Sequence, residues 1–355
     1  MSDPLLRVSD LKKHFVQNDG ILDRLLQNTE TVRAVDGVSF DIEEGETLGL
    51  VGESGSGKST TARALLRLDE PTAGAVRYGD TELGSLSSGQ LKEMRKQMQM
   101  VFQDPASSLN RRKTVSQLIK QPMRIHDLYE GQRDERVNEL LSTVGLSPKH
   151  SNRYPHEFSG GQRQRIGIAR ALAVEPDLLV CDEPVSALDV SIQAQILNLL
   201  QDLQDEFDLT ILFIAHDLSV IRHVCDRVAV MYLGEIVEIA PTEDLFTDPQ
   251  HPYTRSLLDS IPEVDPDLAR SREALEGQVP SPLDPPSGCS FHTRCQEATE
   301  KCARNDPSLE SVVGANDGHL AACHYAREFE PGGGIPIEED RTDRYAVEDF
   351  KISKP

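Results

Sequence analysis

Residues 52–59 read Gly52-Glu53-Ser54-Gly55-Ser56-Gly57-Lys58-Ser59, and Thr60 follows. The stretch fits G-x-x-x-x-G-K-[ST], with an apolar run at Thr47–Val51 before it and a helical pattern from about Lys58 after it. Glycines let successive backbone N–H groups turn inward as a nest for an anion at a helix N-terminus. A lysine at this position reaches the β- and γ-phosphates, and the following hydroxyl ligates Mg²⁺. The second half of such a site is an apolar strand ending in a carboxylate, which Leu178-Leu-Val-Cys-Asp182-Glu183 supplies. Asp182 is placed to hold Mg²⁺ through its water shell, and Glu183 to polarise an attacking water. Together the two motifs predict a nucleotide hydrolase.

The chain around them is an alternation of strand-like and helical runs from Leu5 to about Ala240, as expected of an α/β nucleotide-binding domain. Thr210–Ala215 is a further apolar strand, reached through an amphipathic helix around 191–203. Between about 104 and 173 strand patterns give way to helical periodicity, which predicts a helical subdomain set into the core. Segments 227–233 and 235–239, meeting near Gly234, predict a closing hairpin. The cassette is therefore expected over 1–247. Prolines and a cysteine cluster then mark a small loop-rich extension over 248–330, and 331–355 a flexible acidic tail.

Composition excludes several classes. The 355 residues carry 37 Lys and Arg against 59 Asp and Glu, a formal charge of −22. Such a surface repels phosphate backbones and anionic headgroups, which argues against nucleic acid as a partner. A salt-rich cytoplasm screens this self-repulsion, so a halophilic source is expected. With 38% hydrophobic residues the chain still supports a packed core. No run approaches the ~20 apolar residues of a membrane span, and the first residues, MSDPLLRVSD, do not read as a secretory signal.

Further motifs make the reading specific. Phe158-Ser159-Gly160-Gly161-Gln162 resembles the signature of the ATP-binding cassette superfamily, with Phe where Leu is commoner, and Gln162 precedes Asp182 by 20 residues. Gln103 in VFQDP resembles the Q-loop glutamine, Ser186-Ala-Leu-Asp189 the D-loop, and His216 in FIAHD the switch histidine. The resemblance implies a P-loop cassette with a RecA-like α/β core, an antiparallel β subdomain and an inserted helical subdomain. It also implies ATP bound with Mg²⁺ between two cassettes arranged head to tail, one giving the phosphate loop and the other the signature, Ser159 to Gln162, with Asp189. Glu183 is then the general base and His216 orients γ-phosphate and water. Gln103 joins Ser59 and Asp182 around Mg²⁺ and touches the transport partner, and Phe15 stacks on adenine.

After the cassette, His251-Pro-Tyr-Thr-Arg-Ser-Leu-Leu-Asp-Ser-Ile-Pro262 and Gly288-Cys-Ser-Phe-His-Thr-Arg-Cys295 resemble the extension of oligopeptide and dipeptide importer ATPases. The segment VQNDGILDRLLQNTETVR between Phe15 and Ala34 resembles an insertion of one of that pair's two ATPase types. The implied role is the ATPase of a peptide importer on the cytoplasmic face of the membrane. Its implied partners are a second cassette, in a heterodimer or a homodimer, two membrane permeases, and indirectly an extracellular peptide-binding protein. A nickel or other small-solute importer is the alternative; a translation or DNA-repair ATPase needs two cassettes or basic patches, which are missing. Cys289-x5-Cys295-x6-Cys302-x20-Cys323 offers four thiolates for either a [4Fe–4S] cluster or Zn²⁺, or else four unmetallated thiols. The resemblance implies the cluster. Cys181 and Cys225 read as buried small hydrophobes, and no sequence feature places the cysteine segment near the hydrolysis chemistry.

Overall fold

The computed structural model describes residues 3–17, 30–261 and 277–326. Most of the insertion expected between Phe15 and Ala34, and all of the tail 331–355, lie outside the described residues. In chain order the elements begin with β1 (Leu6–Gln17), β2 (Glu30–Ile42), β3 (Thr47–Val51), α1 (Lys58–Leu65), β4 (Ala73–Tyr78), β5 (Thr81–Glu82), α2 (Ser88–Gln97) and β6 (Met98–Val101). Four helices follow: α3 (Pro105–Ser108), α4 (Val115–Ile125), α5 (Arg133–Thr143) and α6 (Gly160–Leu172). Then come β7 (Leu178–Asp182), α7 (Val190–Phe207), β8 (Thr210–Ala215), α8 (Leu218–Ile221), β9 (Arg227–Tyr232) and β10 (Glu235–Pro241). The last are α9 (Thr242–Thr247), α10 (Pro252–Asp259), α11 (Glu300–Arg304), β11 (Glu310–Ser311) and β12 (Leu320–Ala321).

Runs that are apolar at every position suit strands covered on both faces. All residues of β3, β7 and β8 are buried. These three strands, with β6 and β9, form the parallel part of a sheet ordered β11-β12-β10-β9-β3-β8-β7-β6. A separate antiparallel sheet runs β2-β1-β4-β5, with Leu6 opposite Ile42 and Val8 opposite Phe40 on its buried face. Between β6 and β7 the regular elements are helical only. Thr114 and Gln117 open α4 with a reciprocal capping box, in which each side chain accepts from the other's backbone N–H. Its buried face of Val115, Leu118, Ile119 and Met123 joins the core under the central sheet.

The C-terminal extension differs from a detached appendage. β12 pairs antiparallel with β10, Glu238 opposite Ala321 and Ile239 opposite Leu320, so it lengthens the cassette's own sheet. An open strand edge leaves N–H and C=O groups to be paired, and this segment pairs them. Glu238 is fully buried at the seam. It accepts from the N–H of Gln250 at 2.7 Å and of His251 at 2.9 Å, and its Oε1 lies 2.7 Å from His319 Nε2.

Glu235 sits at the same seam, and burial, with Asp306 nearby, pushes its carboxyl up to about 7. The folded protein therefore keeps a proton there between about pH 4.5 and 7 that the unfolded chain releases, so this contribution to stability falls as pH rises through that window. A Glu235→Gln variant should match the wild type below pH 4.5 and exceed it above pH 7 by on the order of 2 kcal/mol. Denaturant melts of both proteins at pH 5 and pH 8 check this; equal differences at the two values would refute it.

Candidate active site

Ligand sites in sheets of this kind gather beyond the carboxyl ends of the strands, where backbone groups and loops are free to face a ligand. A cleft of about 800 Å³ opens at the ends of β3, β7 and β8. Among its lining residues are Glu53, Ser54, Gly55, Gly57, Lys58, Ser59, Thr60, Gln103, Glu183 and His216.

The loop from β3 to α1 takes its shape from glycine. Gly52 and Gly57 have φ of 153° and 109°. A Cβ on Gly52 would lie 2.1 Å from the Met231 carbonyl, and one on Gly57 2.2 Å from that of Ala34. No other residue fits either position. Gly57 then caps α1 directly, leaving the first N–H groups of that helix without a side-chain cap. Lys58 is buried, and its ammonium donates to the Gly52 carbonyl at 2.7 Å and the Glu53 carbonyl at 2.9 Å. Burial lowers its affinity for the proton, while the carboxylates of Glu183, Asp182 and Glu53 raise it. Ser59 donates to Asp182 Oδ1 at 2.7 Å, bringing hydroxyl and acid together. Burial pushes the Asp182 carboxyl up, against the pull of the Ser59 hydroxyl; a divalent cation at this pair would favour the charged acid.

Glu183 holds φ at 44°, an uncommon conformation for a residue with a Cβ. Its N–H donates to the Ile214 carbonyl at 3.0 Å, tying the end of β7 to β8. The side chain is thereby aimed into the cleft. Gln103 Nε2 donates to Glu183 Oε2 at 2.6 Å, and His216 Nδ1 lies 3.8 Å from the same oxygen. An acid, an amide and an imidazole therefore converge from the ends of three strands on the cleft that the lysine also lines.

A family model described as ABC transporter matches residues 35–186, and one described as the oligopeptide/dipeptide transporter C-terminal region matches 237–302. The oligopeptide transport ATP-binding protein AppF of Bacillus subtilis is 51% identical over 326 residues, covering 91% of this chain and 97% of its own. YkfD of the same organism is 53% identical over 331 residues, covering 92% and 97%. This chain belongs to the ATP-binding subunits of the oligopeptide/dipeptide ABC transporter family. Solved structures agree on the fold. The ATP-binding cassette MJ0796, in a dimeric structure bound to ADP and Pi, aligns with a TM-score of 0.59 at 28% identity, over 67% of this chain and 98% of that one. CbiO1 of Clostridium perfringens aligns with a TM-score of 0.59 at 27% identity, over 70% and 92%. The subunit is an ATPase, and among its described residues no helix is long and apolar enough to cross a membrane.

Not every expected residue of this ABC subunit lines the cleft. Phe15, in β1 opposite Val32, is 41% exposed and is absent from the lining. The signature residues, expected at the cleft of a second cassette, are also absent from this lining. Ser159 is exposed and N-caps α6: its hydroxyl accepts from Gln162 N–H at 3.3 Å, and Gln162 Oε1 accepts from Ser159 N–H at 3.1 Å. Gly161 is there for contact, since a Cβ would meet Ile192 Cγ2 of α7 at 2.4 Å. Asp189 caps α7 through the N–H of Ile192 at 3.0 Å, so signature and D-loop pack as one unit.

Cys181 and Cys225 are buried, as apolar residues would be. Cys289, Cys295, Cys302 and Cys323 all border one cavity of about 20 Å³, with His251, His292 and His324. Burial and the neighbouring thiols push Cys289 up to about 12 and Cys323 to about 11. Among the described residues, no group of three or more His, Cys, Asp or Glu is placed to hold a metal ion. No sequence feature placed the cysteine segment near the phosphate loop; the fold brings it there. Arg294, next to Cys295, forms a two-pronged ion pair with Glu53 of the loop, at 2.8 and 3.1 Å. The only hint in the sequence was an acid inside an anion-binding loop, which needs a cation from elsewhere.

Replacing Gly57 with Ala forces its Cβ onto the Ala34 carbonyl. Equilibrium titration with MgATP should show affinity reduced by at least roughly tenfold, about 1.4 kcal/mol, with an unchanged far-ultraviolet circular dichroism spectrum. Affinity equal to the wild type would show that the loop tolerates a different shape.

Proposed function

We propose that this chain hydrolyses ATP to power the import of oligopeptides or dipeptides through membrane permeases. The observation that carries the reading is the convergence of Lys58, Ser59, Gln103, Glu183 and His216 on one cleft beside a glycine-shaped loop. The match of 237–302 to the oligopeptide/dipeptide C-terminal region supports the peptide class of cargo. The names of AppF and its relatives support it too.

In this mechanism the N–H groups of Ser54, Gly55 and Gly57 with Lys58, Ser59 and Thr60 receive the β- and γ-phosphates, and Lys58 turns from the loop carbonyls to phosphate oxygens. Ser56, expected among them, is buried outside the lining and donates its N–H to the Glu53 carbonyl at 3.2 Å. Ser59, Asp182 and Gln103 would hold Mg²⁺, which when bound neutralises charge on the phosphates. Glu183 takes a proton from the attacking water, and its contact with Gln103 lets occupancy of the cleft be felt at the helical subdomain. His216, beside the same Glu183 oxygen, orients water and γ-phosphate. Ser159, Gly160, Gly161 and Gln162, with Asp189, act on the cleft of a second cassette. Ser159 and Asp189 are exposed and none of the five lines this chain's own cleft, which supports a head-to-tail pair. The backbone of the α6 N-terminus would face the γ-phosphate there. Phe15, exposed outside the cleft lining, would stack on an adenine that reaches beyond it.

The assembly contains a second cassette, two permeases on whose cytoplasmic side this subunit sits, and a peptide-binding protein outside. The charge of −22 fits a salt-rich cytoplasm. At the extension, Cys289, Cys295, Cys302 and Cys323 would be the ligands of a [4Fe–4S] cluster, with Zn²⁺ and unmetallated thiols as the other readings. They are not placed as a metal site here and would have to draw together around the group. All four thiols border one cavity, and a bound cation would pay the cost of ionising them there.

Glu183→Gln should leave MgATP binding intact and reduce turnover by roughly 10²–10⁴, the loss expected with a general base. Steady-state hydrolysis with the partner subunits checks it, and retained turnover would remove Glu183 from its role. Protein purified without oxygen should be brown and contain iron, and Cys289→Ser should bleach it. Colourless protein with stoichiometric zinc would establish the second reading instead.

A further inference from the structure

Glu53 is the second residue of the phosphate loop, and the C-terminal extension holds its amide and its carboxylate. Its backbone N–H donates to the Tyr253 hydroxyl at 2.9 Å. Its two carboxylate oxygens accept from Arg294 Nη1 and Nη2 at 2.8 and 3.1 Å. Its carbonyl accepts from Lys58 at 2.9 Å. Neither Tyr253 nor Arg294 lies within the matched cassette, residues 35–186.

The consequence follows from peptide planarity. The amide joining Gly52 to Glu53 carries its N–H toward Tyr253 and its C=O toward Lys58, 2.7 Å from the ammonium. Fixing one end of a planar unit fixes the other. Tyr253 therefore sets the direction of a carbonyl that positions the phosphate-binding lysine. Tyr253 is fully buried, its ring 4.7 Å from that of Tyr232 and 5.3 Å from that of Phe291. The hydroxyl thus has little freedom.

Arg294 does a second job. An unpaired carboxylate on the loop would repel a triphosphate in a chain already strongly negative. The guanidinium cancels it through a fork geometry that Lys cannot reproduce. Its side chain is 5% exposed and packs 5.8 Å from the Tyr232 ring, against 27% exposure for Glu53, so solvent and salt reach the pair from the cleft side only.

We propose that Tyr253 and Arg294 are positioning residues of the phosphate loop, through which the cysteine-bearing extension sets the affinity of this ATPase for its nucleotide. The proposal rests on the ATPase reading above and adds to it a dependence on residues outside the cassette.

The test is equilibrium titration of the full-length chain with MgATP, followed by kcat and KM in the assembled transporter. Arg294→Met should weaken binding and raise KM by about tenfold while kcat stays within about twofold. Adding Glu53→Gln to that variant should restore most of the affinity, because no unpaired carboxylate remains on the loop. A purely structural role for Arg294 would not be rescued by a change at Glu53. Unchanged affinity in Arg294→Met, or a double variant as weak as the single one, would overturn the proposal. Should Arg294→Met fail to fold, Tyr253→Phe keeps the ring and removes only the hydroxyl. It should cost about threefold in affinity, and no loss would likewise overturn the proposal. Wild-type protein that binds no MgATP would instead bring down the ATPase reading itself.

Discussion

The structure depends on a backbone constraint at Gly52 and Gly57. At both positions a neighbouring carbonyl stands where a Cβ would have to be, 2.1 Å away in one case and 2.2 Å in the other. The chain can pass between β3, the Met231 end of β9 and the Ala34 segment of β2 only without a side chain. That passage turns the loop's amides in one direction and starts α1 at Lys58, so the positive end of the helix and the lysine face the same space. A bulkier loop would have to leave the sheet elsewhere, and the acids of β7 would then face no phosphate.

The second feature is a concentration of acid where an anion is to bind. Asp182, Glu183 and Glu53 all lie close enough to influence Lys58. Each has a specific restraint. Ser59 donates to Asp182, Gln103 to Glu183, and Arg294 to Glu53. The positive φ of Glu183 is a local cost on the order of 1 kcal/mol, borne because it turns the carboxylate toward the cleft rather than along the strand.

The extension and the cassette share one sheet at their seam. A single fully buried carboxylate, Glu238, gathers two backbone amides from the segment after the cassette and a histidine from beside β12. A buried polar group of that kind is costly unless it is hydrogen-bonded, and this one has partners from both segments. The aromatic contacts of Tyr232, Tyr253 and Phe291 then carry that order from the sheet toward the phosphate loop.

The chain's own order of residues determined much of this. Contiguous apolar runs allowed only buried strands at 47–51, 178–182 and 210–215, and glycine spacing allowed only an anion nest at 52–57, because both signals are local and depend on periodicity or on a missing side chain. The C-terminal strand pairing escaped that reading because Leu320–Ala321 is too short to show a period, and its partner lies some eighty residues earlier in the chain. Folding also decided that the signature hydroxyl caps its own helix and that Phe15 stays outside the cleft. The pairing of Glu53 with Arg294 joins positions separated by 241 residues, and an ion pair has no period or spacing along a chain; only the packing of the extension against β9 and α10 brings those charges together.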